Sequence, residues 1–212
     1  MAEKSGKDIL LKIKVDATGS ITGNYFAVAA HGLAENDLVK FEETQGTLTT
    51  TRFYFVSKGT YSTLDATNFA VSLTPGGAAA VPDITDATVP MDLYSTVGGL
   101  RSSSFAYATD DIDVSNHGSN QWKNIKSGAG MRSVAVSGSG VYTNATNYRA
   151  MESDALALNL VSLAFIDIDA GRVYSGSYKI NSLEATGEYD GEASFSISAN
   201  SSGTVSVAQL GT

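Results

Sequence analysis

The chain has 212 residues, 42% of them hydrophobic, and 22 acidic against 14 basic residues give a formal net charge of −8. That is enough length and apolar content for a real core, and too little clustered Lys and Arg for tight nucleic-acid binding, which depends on cations held against phosphates. The absence of cysteine excludes disulfides, thiolate metal sites and cysteine nucleophiles, and fits assembly in a reducing compartment.

The first stretch, MAEKSGKDILLKIKVD, is not expected to be a signal peptide, because Lys12 and Lys14 interrupt its apolar residues. No run approaches the roughly 20 apolar residues that a membrane-crossing helix needs. Instead Ile9, Leu11, Ile13 and Val15 alternate with polar positions, which predicts a strand with one buried face. Residues 20–92 then hold all three prolines and a strand set of their own, in YFAVAAHGL, DLVKFEET, TRFYFVSK and TNFAVSLT. With that segment removed, Val15 followed by YSTVGGLR reads as one hairpin. The expected organisation is therefore a discontinuous host domain, 1–19 and 93–212, carrying a small inserted β module, 20–92. Such an insertion at a turn is tolerable because loop-closure cost grows slowly with length.

Alternation resumes at SSSFAYAT, residues 102–109, and TDDIDVSN sets Asp110, Asp111 and Asp113 against Ile112 and Val114, as on a strand with an acidic face. A calcium loop counted from Asp111 would put Asn116 where glycine belongs and Trp122 where glutamate belongs. In GAGMRSVAVSGSGVY, residues 128–142, Lys126 precedes the glycines and a strand pattern follows them, so neither a phosphate loop nor a dinucleotide turn fits. Val134 and Val136 face a core, while Ser133, Ala135, Ser137 and Ser139 form a small opposite face. Gly138 and Gly140 in that strand suggest a bulge or a close backbone approach. Tyr148, Met151, Ala155 and Leu158 are spaced for one amphipathic helix over about 145–158, capped by Thr143 or Asn144. The DIDAG stretch at 167–171 reads as a hairpin turn. In EASFSISAN, Phe195 and Ile197 oppose Ser194, Ser196 and Ser198, and GTVSVAQL alternates likewise.

The two histidines, His31 and His117, sit in turn-like contexts, and no Gly-x-Ser-x-Gly nucleophile elbow is present. No enzyme, metal or cofactor is expected. Trp122, the one tryptophan, reads as an anchor in a core or an interface.

The segments GKDILLKI, TVGGLRSSSFAYATDDIDVSN, SGAGMRSVAVSGSGVYTN and GRVYSGSYKINSLEATGEYDGEASFSISANSSGTVSV follow in an order that resembles the major tail tube protein of long non-contractile-tailed phages and of gene transfer agents. The likeness covers residues 1–16 and 94–212. It implies a mainly β subunit, a β-sandwich or barrel-type tail tube fold with one α-helix. It further implies homohexameric rings stacked into a tube in the virion tail, assembled in the bacterial host cytoplasm, through which double-stranded DNA passes without tight binding. The implied partners are other copies of the chain, a tape measure protein in the lumen, and tail terminator and distal tail proteins, with no membrane. Candidate lumen-facing residues are Ser133, Ala135, Ser137, Ser139, Ser194, Ser196, Ser198, Asp111 and Asp113. Candidate ring-stacking residues are Lys4, Lys7, Trp122 and Lys123. Short members of the family lack 20–92, which is expected on the outer tube wall; a carbohydrate-binding adhesin or tail decoration protein acting through that module is the competing reading.

Overall fold

The computed structural model describes residues 9–23, 25–58, 64–80, 84–116, 119, 122–142, 145–167, 171–187 and 194–210. In chain order the elements are β1 (Ile9–Gly23), β2 (Tyr25–Ala27), β3 (Leu38–Phe41), β4 (Arg52–Ser57), β5 (Asn68–Ser72), β6 (Ile84–Thr109), β7 (Arg132–Tyr142), α1 (Ala145–Leu156), β8 (Leu160–Asp167), β9 (Arg172–Thr186), β10 (Ser194–Ser201) and β11 (Ser206–Leu210). The fold is mainly β, with one α-helix among the described residues, as the alternating sequence implies. Each of the four strand stretches read within 20–92 contains one of β2 to β5.

Two strands organise everything else. The 15-residue β1 and the 26-residue β6 pair antiparallel from Ile9↔Leu100 to Gly23↔Ile84. At one end of this ribbon, β6, β7, β10, β9, β8 and β1 bond in sequence around a closed ring. At the other end, β6, β3, β4, β5, β2 and β1 close a second ring. The first ring encloses one apolar core, with Leu11, Ile13, Val134, Val136, Phe165, Tyr178, Phe195 and Ile197. The second encloses another, with Ile21, Phe26, Phe41, Tyr54, Phe69 and Met91. Strand β11 ties the two together, antiparallel to β9 and parallel to β4. It covers a third, smaller core of Leu38, Phe53, Phe55, Tyr94, Ile166, Val173 and Leu210, drawn from both rings.

The β1 stripe departs from its expected pattern at one point. Leu11 and Ile13 are buried, but Val15 is 53% exposed. Val15 lies between the two cores: Ile13 packs in the first, and Ala17 and Ile21 pack in the second. The helix departs too. It ends at Leu156, and Leu158 stands 73% exposed instead of continuing the stripe of Tyr148 and Met151. The chain turns left-handed at Leu158 (φ 59°), and the Asn159 amide bonds back to the Asp154 carbonyl, so the helix cannot propagate. The caps read at Thr143 and Asn144 lie outside the described residues, as does most of the turn read at 167–171.

A buried polar network fixes the junction of the two rings. Lys12 on β1 is 1% exposed, and its Nζ donates to Asp37 Oδ1 at 2.7 Å and to Thr96 Oγ1 at 2.6 Å. The Thr96 amide donates to Asp37 Oδ1, and the Ala34 amide donates to Asp37 Oδ2. Asn147 of α1 donates to the Thr96 carbonyl. Burial presses the Lys12 ammonium below the usual lysine range, and the Asp37 carboxylate opposes that pull. Lys12 and Thr96 belong to the first ring and Asp37 to the 20–92 segment, so the pair registers one against the other. Removing one partner of a buried ion pair strands the other charge, at about 3–5 kcal/mol, whereas an apolar replacement of both is nearly neutral. Asp37→Ala is expected to lower unfolding free energy in denaturant melts by that amount, and adding Lys12→Met to recover most of it. By the same physics, the host domain with residues 20–92 excised is expected to fold and assemble only when it also carries Lys12→Met, as circular dichroism and light scattering would report.

The glycine-rich strand answers its own question. Opposite Gly140, β6 slips register between Leu100 and Ser102, a β-bulge. A Cβ built at Gly140 would fall on the Gly99 carbonyl oxygen, and one at Gly138 would lie 2.8 Å from the Ser102 carbonyl. The glycines are there for close backbone approach. Gly140→Ala is expected to destabilise the fold by about 1–3 kcal/mol, the range for an overpacked interior, measured as a lowered denaturation midpoint.

Candidate functional site: a hydroxyl-faced sheet and an apolar arm

Beyond Leu100, β6 leaves β1 and continues into a four-stranded antiparallel sheet, in the order β6, β7, β10, β9. Its inward side chains, among them Val134, Val136, Phe195 and Ile197, fill the first core. Period-two alternation then sends the intervening small residues outward. Register brings them into lines across the sheet. Ser104, Ser137, Ser198 and Ser182 oppose one another in one row, and Ser102, Ser139, Ser196 and Glu184 form the next. Ser102 and Ser139 hydroxyls are 2.9 Å apart, and Ser196 Oγ reaches Glu184 Oε2 at 3.5 Å. Ser133, Ala135, Ser137 and Ser139 are exposed, and Ser194, Ser196 and Ser198 half-buried. All seven expected small residues therefore share one face. The sequence analysis did not name Ser182, although the alternation of Ser182 and Glu184 with Leu183 and Ala185 carries the same signal.

Two edges of this sheet have no strand partner among the described residues. From Ser102 to Thr109, β6 pairs with β7 alone, and from Ser182 to Thr186, β9 pairs with β10 alone.

Asp111 and Asp113 lie elsewhere. The strand ends at Thr109, and 110–116 forms one side of an arm that extends the β6–β7 hairpin. The acidic strand expected there is replaced by an extended segment with a single bridge, Asp113↔Ile125. Backbone bonds from Asp110 to Met131, Val114 to Asn124 and Lys126 to Ile112 hold the arm together. The Asp113 carboxylate accepts from the Ser115 side chain and amide, which holds its pKa below the usual carboxylate value. Asp111 faces Lys123 at 3.8 Å. The arm exposes apolar side chains, Ile112, Val114 and Ile125 among them, with Trp122 79% exposed. Trp122 is thus no core residue. Lys4, Lys7 and His117 lie outside the described residues.

His31 and the carboxylates at the ring junction are held by neighbouring groups of the fold. His31 Nδ1 accepts the Leu33 amide at 3.0 Å, and its ring stands edge-on to Phe69. The carboxylates of Asp16, Glu42 and Asp92 converge at the ring junction, where the Lys14 ammonium sits 2.9 Å from both Asp16 and Asp92. Burial would lower the Lys14 pKa, but the two carboxylate bonds outweigh it and raise it, so the cation of this cluster is the lysine itself.

No curated protein matches the chain. A chain in the tail of an empty gene transfer agent particle, computed with helical refinement and C6 symmetry, is 27% identical, with TM-score 0.45 over 53% of this chain and 84% of its own. A chain in the virion of a native gene transfer agent particle is 26% identical, with TM-score 0.45 over 54% of this chain and 88% of its own. The profile of the phage tail tube proteins matches residues 79–207, more than half the chain, from the entry into β6 to the start of β11. The chain belongs to the phage tail tube protein family, and it is a structural subunit of a tail tube.

Proposed function

We propose that six copies close into a ring whose inner wall is the sheet of β6, β7, β10 and β9, and that stacked rings form the channel through which double-stranded DNA leaves the particle. The observation that supports this reading is the combination of a continuous hydroxyl face with two strand edges that have no partner among the described residues. An unpaired strand edge is a template for another strand. In a ring, the β6 edge of one subunit meets the β9 edge of the next, and heterologous contacts of this kind close without leaving an edge.

The chemistry of the face suits a conduit. Serine side chains are short, so they keep a bore wide, and they hydrate it without offering cations to phosphate. At −8 per chain, a ring carries a formal charge of about −48, which disfavours adhesion of DNA. Glu184 supplies a carboxylate on the face itself. In this reading Asp111 and Asp113 belong to the arm and not to the wall. The tape measure protein would occupy the same bore before DNA does, and the tail terminator and distal tail proteins would cap the tube ends, with assembly in the host cytoplasm. The ring of β2 to β5 lies at the opposite end of the β1–β6 ribbon from the serine rows, which favours an outer position for the 20–92 module.

Ser137 sits in the middle of the serine rows, exposed and without a core contact. Ser137→Arg is expected to leave tubes intact while slowing DNA ejection, more at low salt than at high salt, because each ring would gain six cations facing phosphate. Phage or particles carrying the change, timed for DNA release at two ionic strengths, provide the measurement. Normal tails with unchanged, salt-independent release would place this sheet away from the DNA path.

The arm offers an apolar contact between rings. Trp122→Ala is expected to leave the melting temperature of the subunit unchanged, since the indole is exposed, and to weaken tube formation by about 2 kcal/mol per contact, roughly 30-fold. Parallel thermal melts and seeded assembly followed by light scattering would separate the two effects.

A further inference from the structure

Three leucines face solvent where the chain passes from α1 into β8. Leu156 is 80% exposed, Leu158 73% and Leu160 52%. Leu158 also holds a left-handed backbone that asparagine or glycine adopts at less steric cost. A cluster of large apolar side chains on a solvent-facing turn marks a surface that another molecule covers.

The turn lies beside one of the two strand edges without a partner. Strand β8 flanks β9 from Lys179, which pairs with Leu160, to Arg172, and the β9 edge beyond, Ser182 to Thr186, bonds only to β10. A strand added there runs end to end with β8 and meets the turn. Strands alternate in direction from β6 through β7 and β10 to β9. In a ring, the β6 of the next copy therefore lies antiparallel to β9 and directs its Thr109 end at the turn. Register agrees. Ala106, Ala135, Asn200 and Lys179 form one row, so without stagger the neighbour's Ala106 and Tyr107 come level with Leu160.

That end of β6 borders an apolar groove of about 670 Å³, lined by Tyr107, Met131, Val205 and Val207. Tyr107, Met131 and Val207 are all exposed. Arg132 lines the groove as well, while α1 carries Glu152 and Asp154 near its end and no basic residue in its last turn. The negative end of the helix dipole adds to that charge match. We propose that the leucines of the α1–β8 turn pack into this groove of the next copy in the same ring, with Arg132 of that copy facing the acidic end of α1. This rests on the ring proposed from the strand edges and adds a side-chain lock beside them. An apolar turn on one flank and an apolar groove on the other make a heterologous contact, which repeats until the ring closes.

The chain has no cysteine, so introduced thiols report single contacts. Chains carrying Leu158→Cys are co-assembled with chains carrying Tyr107→Cys and treated with a flexible bismaleimide. Covalent dimers are expected in tubes and not in the unassembled mixture. Within one chain Tyr107 sits beside Tyr174, at the far part of β8 and roughly 20 Å from Leu158. Both changes in one chain should therefore give a ladder of bands that ends at the closed ring. Ser104→Cys and Ser182→Cys, on separate chains, report the strand edges alone. Edge dimers without Leu158–Tyr107 dimers would overturn the contact and leave the ring standing, and intact tubes with neither would overturn both. A ladder running past the ring would place the contact between rings and also overturn it. Leu158→Asn should leave the melting midpoint of the unassembled chain unchanged or raised, and should raise the concentration needed for tubes about tenfold, the factor for exposing one buried leucine. Tube formation at the parent's concentration would overturn the proposal.

Discussion

The pairing of β1 with β6 is the constraint on which the rest of the structure depends. Each strand is long enough to serve two closed rings, so both rings share one continuous pair of strands as part of their walls. Hydrogen bonds along this ribbon are satisfied internally, and its bulges at Leu11/Lys12 and Gly19/Ile21 bend it so that two separate cores can form along one pair of strands. The ribbon also explains how a 20–92 segment can sit inside a tail tube subunit. Both ends of that segment fall within long strands, β1 and β6, that continue beyond it.

Continuity alone would leave the two rings free to twist about their shared strands. The third core and the Lys12–Asp37–Thr96 network prevent that. A buried ion pair contributes little net stability, because desolvation offsets its Coulomb attraction. Its geometry is selective, however: Asp37 accepts from Lys12, from the Thr96 amide and hydroxyl, and from the Ala34 amide, and only one placement of the segment satisfies all of these donors. The small core beneath β11, with Phe53, Tyr94, Ile166 and Leu210, supplies the apolar burial that the charged pair does not.

The sheet beyond Leu100 shows a different economy. Its inner face carries core side chains such as Val134, Val136, Phe195 and Ile197, while its outer face has almost nothing but hydroxyls and methyls, with Glu184 adding a carboxylate. Such a face gives little cross-strand packing energy. Its stability comes from backbone pairing and from the core beneath, and its outer face makes no contact with that core. The arm is built in the opposite sense. Its backbone bonds are internal, and its large side chains point outward, with Trp122 the most prominent, so it buries little until another surface meets it.

Period-two alternation determined the strands, their buried faces and the small-residue character of β7 and β10, because side-chain polarity along a strand is a local property. Helical spacing of Tyr148 and Met151 determined α1 for the same reason, and the ordered segments from GKDILLKI to TVSV carried the family. The end of α1 was not legible, since only backbone geometry shows that Leu158, a non-glycine residue, turns left-handed. Nor was the exposure of Val15, which depends on where one core stops and the next begins. Tertiary structure alone decided that β1 and β6 close two rings, that Ser102, Ser137, Ser182 and Ser196 from four strands share one face, and that Asp111 and Asp113 leave that face for an arm. It alone paired Lys12 with Asp37: a lysine in an alternating strand reads as a solvent-facing residue, and its partner stands 25 residues away in a segment that the alternation places in a separate module.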